Sequence, residues 1–185
     1  MQILETERLI LRPWRESDLA DFYEYSKNPN VGPNAGWKPH ECMAESEAIL
    51  LDFIKRQEVW AVEYKKEGKP IGSLGLHKDG KRDADVKAKM LGYAFGESHW
   101  GMGLCTEAAR RAIRYVFEET DAQILSVYHY PFNQRSRRVI EKCGFTLEGT
   151  LRMGSVLYDG RVYDDCCYSM LKSEYERMVG QCHAR

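Results

Sequence analysis

Three strand-patterned stretches follow one another between Val59 and Gly96, and only then does a helix separate two strands. "VWAVEYK" and "PIGSLGLHK" flank Glu67-Gly68, a hairpin signal. The charged run "KDGKRDADVK" reads as a solvated turn, and "AKMLGYAFG" resumes as a strand. One crossover follows, a helix over 103–118 and then the strand "ILSVYHY". Antiparallel hairpins before a single βαβ unit exclude a doubly wound sheet and predict a mixed α+β fold. Around this block the pattern predicts a first strand "ERLILRPW" and a helix capped by Ser17. A Pro- and Gly-broken loop over 29–40 precedes a helix over 41–57. After the crossover come a helix over 134–142, a strand "FTLEGTLRM", a turn at Tyr158-Asp159-Gly160, a last strand "RVYDDCCYSML" and a short polar helix.

The length of 185 residues predicts one domain, 1–185, with ample core. A formal net charge of -1 supplies no field that steers the chain to nucleic acid or an anionic membrane. No apolar run is long enough to span a bilayer, and Glu5, Glu7 and Arg8 break any secretory signal. Six cysteines without a C-x-x-C pair read as reduced thiols of a cytoplasmic protein, and no metal site is expected.

Gly101 and Gly103 stand at the entry to the best-patterned helix of the chain. The first turn of a helix carries main-chain N–H groups with no intrahelical partner. With the helix dipole they form an anion site, which a glycine leaves open to close approach. A plain tight turn is the other reading of these two residues. No Lys-Ser/Thr follows the second glycine, and no third glycine stands at the dinucleotide spacing.

"LGYAFGESHWGMGLCTEA" followed by "NQRSRRVIEKCGF" resembles the acetyl-CoA site of the GNAT N-acetyltransferase superfamily. The opening "TERLILRPWRESD", Trp37 with Pro39, and the tail "LEGTLRMGSVLYDGRVYDDCCYSML" are similar to the bacterial branch holding the ribosomal-protein N-terminal acetyltransferases. The resemblance implies a mostly antiparallel sheet whose fourth and fifth family strands splay apart, flanked by helices. It implies that main-chain N–H groups of Gly101, Met102, Gly103, Leu104, Cys105 and Thr106 hold the diphosphate of coenzyme A. It places the pantetheine arm against the backbone near Ala94 and Phe95, with the Asn133 amide on that arm. Asn133 also reads as the N-cap of the 134–142 helix, and Arg135, Arg137 and Arg138 read as its solvated face, with one arginine near a coenzyme A phosphate.

Acyl transfer to an amine needs a neutral amine, a polarised carbonyl and a leaving thiolate. The family's usual tyrosine acid is replaced here by Ile140, and the resemblance offers Ser136 as its substitute. A first-turn serine bonding its own helix is the competing reading. Met90 stands where family members carry a glutamate base, which leaves Glu97 as the nearest carboxylate in sequence. Asp164 matches an aspartate of the branch and reads either as an acceptor-site residue or as a brace for the last strand. His77 and His129 read as core histidines or proton relays. The implied acceptor is a primary amine, first a protein N-terminus, with Trp37 lining its pocket. An antibiotic or polyamine acceptor, or a non-catalytic acyl-CoA sensor, is the alternative. The chain is expected to act as a monomer or homodimer.

Overall fold

The computed structural model describes residues 1–183, and side chains through residue 181. The last two residues of the expected 1–185 domain and the Cys182 side chain lie outside the described residues. In chain order the elements are β1 (Leu4–Glu5), β2 (Leu9–Arg12), α1 (Leu19–Ser26), α2 (Gly32–Ala35), α3 (Met43–Arg56), β3 (Val59–Tyr64), β4 (Lys69–Lys78) and β5 (Ala88–Phe95). They continue with α4 (Leu104–Glu119), β6 (Ile124–His129), α5 (Gln134–Lys142), β7 (Thr146–Val156), β8 (Val162–Leu171) and α6 (Lys172–His183). The eight strands form one sheet in the order β1-β2-β3-β4-β5-β6-β8-β7. Among the described residues only β5 and β6 run parallel, joined through α4, so the mixed α+β topology follows the expectation.

The reason α4 crosses the sheet lies in its spacing. Leu104, Ala108, Ala112 and Val116 recur on one stripe and are buried with Ala109, Ile113 and Phe117. They pack on Leu9, Leu11, Val62, Leu74, Leu91 and Leu125 from the strands. The opposite face of the sheet carries a second cluster, in which Trp14, Phe22, Tyr25, Val31, Leu50 and Ala61 join α1 and α3 to β3. A buried ion network ties α1 to the sheet edge. Arg12 of β2 makes two bonds to Asp18, at 2.7 and 2.9 Å, and a third to Glu63 of β3 at 2.6 Å.

Local corrections follow from such contacts. The first strand divides into a short β1–β2 pair. Asp18, rather than Ser17, secures the start of α1: its carboxylate takes the Arg15 N–H as well as the Arg12 guanidinium. The 29–40 loop contains α2, started by Pro33 in its first turn and ended by left-handed Gly36.

The feature that positions the site is an interrupted pairing. β5 and β6 pair only at Ala88–Ile124, Lys89–Leu125 and Met90–Ser126, and beyond Met90 they diverge. The Gly96 N–H bonds Ile71 O on the β4 side, while Lys87 O takes an N–H from Gln123 on the β6 side. Main-chain groups alternate sides along a strand. The polar groups of Tyr93 and Phe95 therefore face the gap, and those of Ala94 face β4.

Candidate active site

Two cavities meet at this gap. The first, of about 420 Å³, runs from the gap along the start of α4 and the exposed side of α5. Gly101, Gly103, Leu104, Cys105 and Thr106 line it on one side, and Arg135, Arg138 and Lys142 on the other. The second, of about 640 Å³, opens on the other face of β4 and β5. Asn34, Ala35, Tyr93, Ala94, Asn133 and Ser136 line both.

The first cavity has the character of an anion site. Gly101 and Gly103 take φ values of +78° and +79°, which a side chain would strain. Gly103 is the N-cap of α4, and a glycine offers no side-chain acceptor to the first-turn amides, which stay free for a ligand. Arg8 braces the loop through Met102 O at 3.1 Å and binds Glu107 at 2.6 Å. Thr6 and the Arg8 N–H also bond Glu107, which draws that carboxylate away to β2. Met102 itself is exposed and is not among the lining residues.

Trp100 closes the rim. Its indole N–H bonds Phe95 O at 2.8 Å, and the Arg135 guanidinium lies 4.4 Å above its ring. Because Phe95 O is engaged by Trp100, the gap-facing groups left for a ligand are those of Tyr93 and the Phe95 N–H. The basic face of α5, read from the sequence as mostly solvated, supplies Arg135, Arg138 and Lys142 to this cavity, while Arg137 pairs with Glu141 outside it.

At the meeting point Asn133 is the N-cap of α5, accepting the Ser136 N–H at 3.0 Å. Its amide N–H donates to Asn34 O at 2.8 Å and so fastens α2 over the gap. The Ser136 hydroxyl lies 2.9 Å from the Tyr93 hydroxyl. This pair joins β5 to α5, and no spacing rule in the sequence signals it. Burial pushes the Tyr93 phenol well above its ordinary range, so it stays protonated at neutral pH. Burial likewise pushes the Cys105 thiol up, which leaves it unreactive.

The remaining expected residues separate. Glu97 lies outside the lining of both cavities; Asn30 and Asn28 donate to its carboxylate and hold its pKa down, which makes it a weak base. Asp164 accepts the Met153 N–H at 2.8 Å and braces the β7–β8 hairpin, the second of its two readings. Its neighbour Asp165 lines the second cavity, 2 % exposed, bonded to Ser155 at 2.9 Å and Lys81 at 2.7 Å. Trp37 lines the same cavity and packs against His40 with ring centres 5.2 Å apart. Asp79, bonded by Tyr128, and His77 complete its polar wall, whereas the His129 ring turns to the other face of the sheet, against Tyr168.

Residues 8–146 match the family model described as "Acetyltransferase (GNAT) domain". The chain belongs to the GNAT acetyltransferase family. The GNAT chain is 27% identical over 175 residues to the uncharacterized N-acetyltransferase YoaA of Bacillus subtilis, covering 92% of this chain and 97% of that one. It is 26% identical over 180 residues to the ribosomal protein uS5 alanine N-acetyltransferase of Escherichia coli, covering 87% and 86%. Its fold matches the crystal structure of a GNAT-family acetyltransferase from Bacillus anthracis with a TM-score of 0.84 at 20% identity, over 94% and 100% of the two chains. The chain is an acetyl-CoA-dependent N-acetyltransferase, and among its described residues no helix is long and apolar enough to cross a membrane.

Proposed function

We propose that this acetyltransferase acetylates the α-amine of a protein N-terminus, with acetyl-CoA in the first cavity and the amine in the second. The observation that carries the reading is the wall that the two cavities share, at Asn34, Ala35, Tyr93, Ala94, Asn133 and Ser136. The first-turn amides of α4 and the side chains of Arg135, Arg138 and Lys142 suit a diphosphate and a further phosphate. The gap-facing groups of Tyr93 and Phe95 suit an amide-bearing arm. An N–H from the gap polarises the thioester carbonyl. The Ser136 hydroxyl, backed by Tyr93, hydrogen-bonds the departing sulfur.

An α-amine suits the site because its reference pKa, about 8, is far below that of a lysine amine at about 10.4. Likeness to the uS5 alanine acetyltransferase over most of both chains supports a protein terminus. A small polyamine is the second reading, favoured by the buried carboxylates of Asp79 and Asp165 on the cavity wall. The test is a panel of peptides with free α-amines, the same peptides blocked at the α-amine but carrying lysine, spermidine and an aminoglycoside. Acetylation read by mass spectrometry should favour free α-amines; turnover confined to spermidine or the aminoglycoside refutes the reading.

A further inference from the structure

We infer that His77 is the base that takes the proton of the acceptor amine, an assignment that rests on the second cavity receiving that amine and not on which amine it is. Ser73, Gly75 and His77 alternate along β4 on the face where that cavity opens, and all three line it. The His77 ring folds back along its own strand. A Cβ built on Gly75 would meet Nε2 at 2.5 Å and Cε1 at 2.9 Å, and one built on Gly92 would meet Nε2 at 3.6 Å. Gly75 and Gly92 are register partners across β4 and β5. Neither has a positive φ, so the backbone does not call for glycine at either place. What Gly75 supplies is room, because a side chain there would occupy the seat of the imidazole.

The two ring nitrogens meet different surroundings. Nδ1 lies 4.0 Å from a carboxylate oxygen of Glu58. That charge favours the ring proton on Nδ1, which leaves Nε2 the bare acceptor of the neutral ring. Nε2 has no hydrogen-bond partner among the described residues and is not sealed from solvent, the side chain being 37% exposed. Burial lowers the ring pKa against the pull of Glu58, which keeps the ring neutral near pH 7. Gly92, beneath Nε2, precedes Tyr93, whose main-chain groups face the gap, and one residue of strand is about 3.4 Å. An amine at the shared wall thus comes within reach of Nε2, directly or through one water. The carboxylates of the cavity leave this role to the imidazole. Asp165 is held by Lys81 and Ser155, and Asp79 by Tyr128 and Arg82. A carboxylate engaged by such donors binds a proton weakly.

The amine reacts in its neutral form, roughly a tenth of an α-amine of pKa about 8 at pH 7. Its nitrogen pair forms the N–C bond to the acetyl carbon, and that nitrogen turns acidic as the bond forms. Nε2 takes one N–H proton from it. The C–S bond breaks with its pair on sulfur, where the Ser136 hydroxyl hydrogen-bonds the thiolate. His77 then returns its proton to solvent, and the thiolate takes one from solvent. Amine and thioester become amide and thiol with no net change in protons.

The test has two arms. In the first, ring-labelled ¹⁵N-histidine spectra of the wild-type protein report the tautomer of His77, identified by its loss in His77→Gln. The inference requires the neutral ring to carry its proton mainly on Nδ1; a ring protonated mainly on Nε2 overturns it whether or not any amine is acetylated. In the second, His77→Gln, His77→Ala, Gly75→Ala and the double variant are assayed with the best acceptor from the panel, with acetyl-CoA affinity read by calorimetry. Both His77 variants should lose about 100-fold or more in kcat at unchanged acetyl-CoA affinity, and added imidazole should restore part of the rate of His77→Ala. Gly75→Ala should lower kcat about tenfold or more in the wild-type background and less than about threefold in His77→Ala, where no ring is left to displace. Activity of His77→Gln within threefold of wild type overturns the inference. So does an equal loss from Gly75→Ala in both backgrounds, which would mean that the glycine serves the strand and not the imidazole. Turnover confined to spermidine refutes the function proposed above, and the His77 kinetics are then read with spermidine. A wild-type protein that binds acetyl-CoA and acetylates nothing in the panel also refutes that function, and the tautomer then decides the inference alone.

Discussion

Gly103→Val separates the backbone demands of the anion site from those of the fold. Gly103 has φ +79°, and a Cβ built there would meet only Arg8 Nη2, at an ordinary 3.6 Å. The folded state therefore bears backbone strain and no clash, at about 1–2 kcal/mol for a left-handed residue. For a domain of this size each kcal/mol moves Tm by roughly 2–4 °C, so Tm should fall by roughly 2–8 °C. Gly160, in the β7–β8 turn, has φ +80° with nothing within 4 Å and lines neither cavity. Gly160→Val should lower Tm by the same amount and serves as the control. Acetyl-CoA affinity distinguishes the two. Valine at 103 keeps a phosphate from the amides of the first turn, and losing one hydrogen bond to a charged group costs about 1.5–3 kcal/mol, or roughly 10- to 150-fold in Kd. Calorimetric titration of both variants at fixed salt reads the difference. Equal affinities for Gly103→Val and Gly160→Val would refute the reasoning.

Three further expectations follow from the same geometry. Coenzyme A resembles a free thiol, with a pKa of about 8.5, so help to its thiolate lies at the low end of proton-transfer catalysis. Ser136→Ala and Tyr93→Phe should each lower kcat about ten- to a hundredfold, and the double variant should lose little more than the worse single; full additivity in steady-state kinetics would show that the two hydroxyls act separately. Trp37→Ala should raise the acceptor KM and leave acetyl-CoA affinity within about twofold, because Trp37 lines only the second cavity; an equal loss of acetyl-CoA affinity would show that the tryptophan shapes both. Burial alone would raise the Glu107 carboxyl, but the bonds from Thr6 and Arg8 outweigh it and hold the pKa down. Its stabilising contribution is thus complete above about pH 4.3 and is lost as the pH falls through the lower folded value, so Glu107→Gln should flatten the acid side of the stability curve in urea titrations.

What the sequence disclosed was what local physics decides. The α5 boundaries were legible because Asn133 caps the helix and Gly144, with φ +87°, follows its end. The α4 face was legible because its apolar residues recur at the helical period. The gap between β5 and β6 was reachable only through family likeness, since Leu91 to Phe95 reads like any paired strand. The contact of Tyr93 with Ser136 spans 43 residues and two element types. Asp164 and Asp165 could not be distinguished, because the β7–β8 register shifts twice, between Leu147 and Gly149 and between Leu151 and Ser155. Each shift changes which side chains face inward. The basic residues of α5 looked mostly solvated, with one arginine near a phosphate, because a sequence shows that a helix face is polar and does not show how much of it borders a cavity.

The most direct test of the account is a crystal structure of the complex with acetyl-CoA. The account predicts the diphosphate on the main-chain amides between Gly101 and Thr106. It predicts the pantetheine arm in the gap against Tyr93 and Phe95, and the thioester at the shared wall with its sulfur in hydrogen-bond reach of Ser136. A diphosphate bound away from the start of α4, or a thioester that stops short of the second cavity, would contradict it.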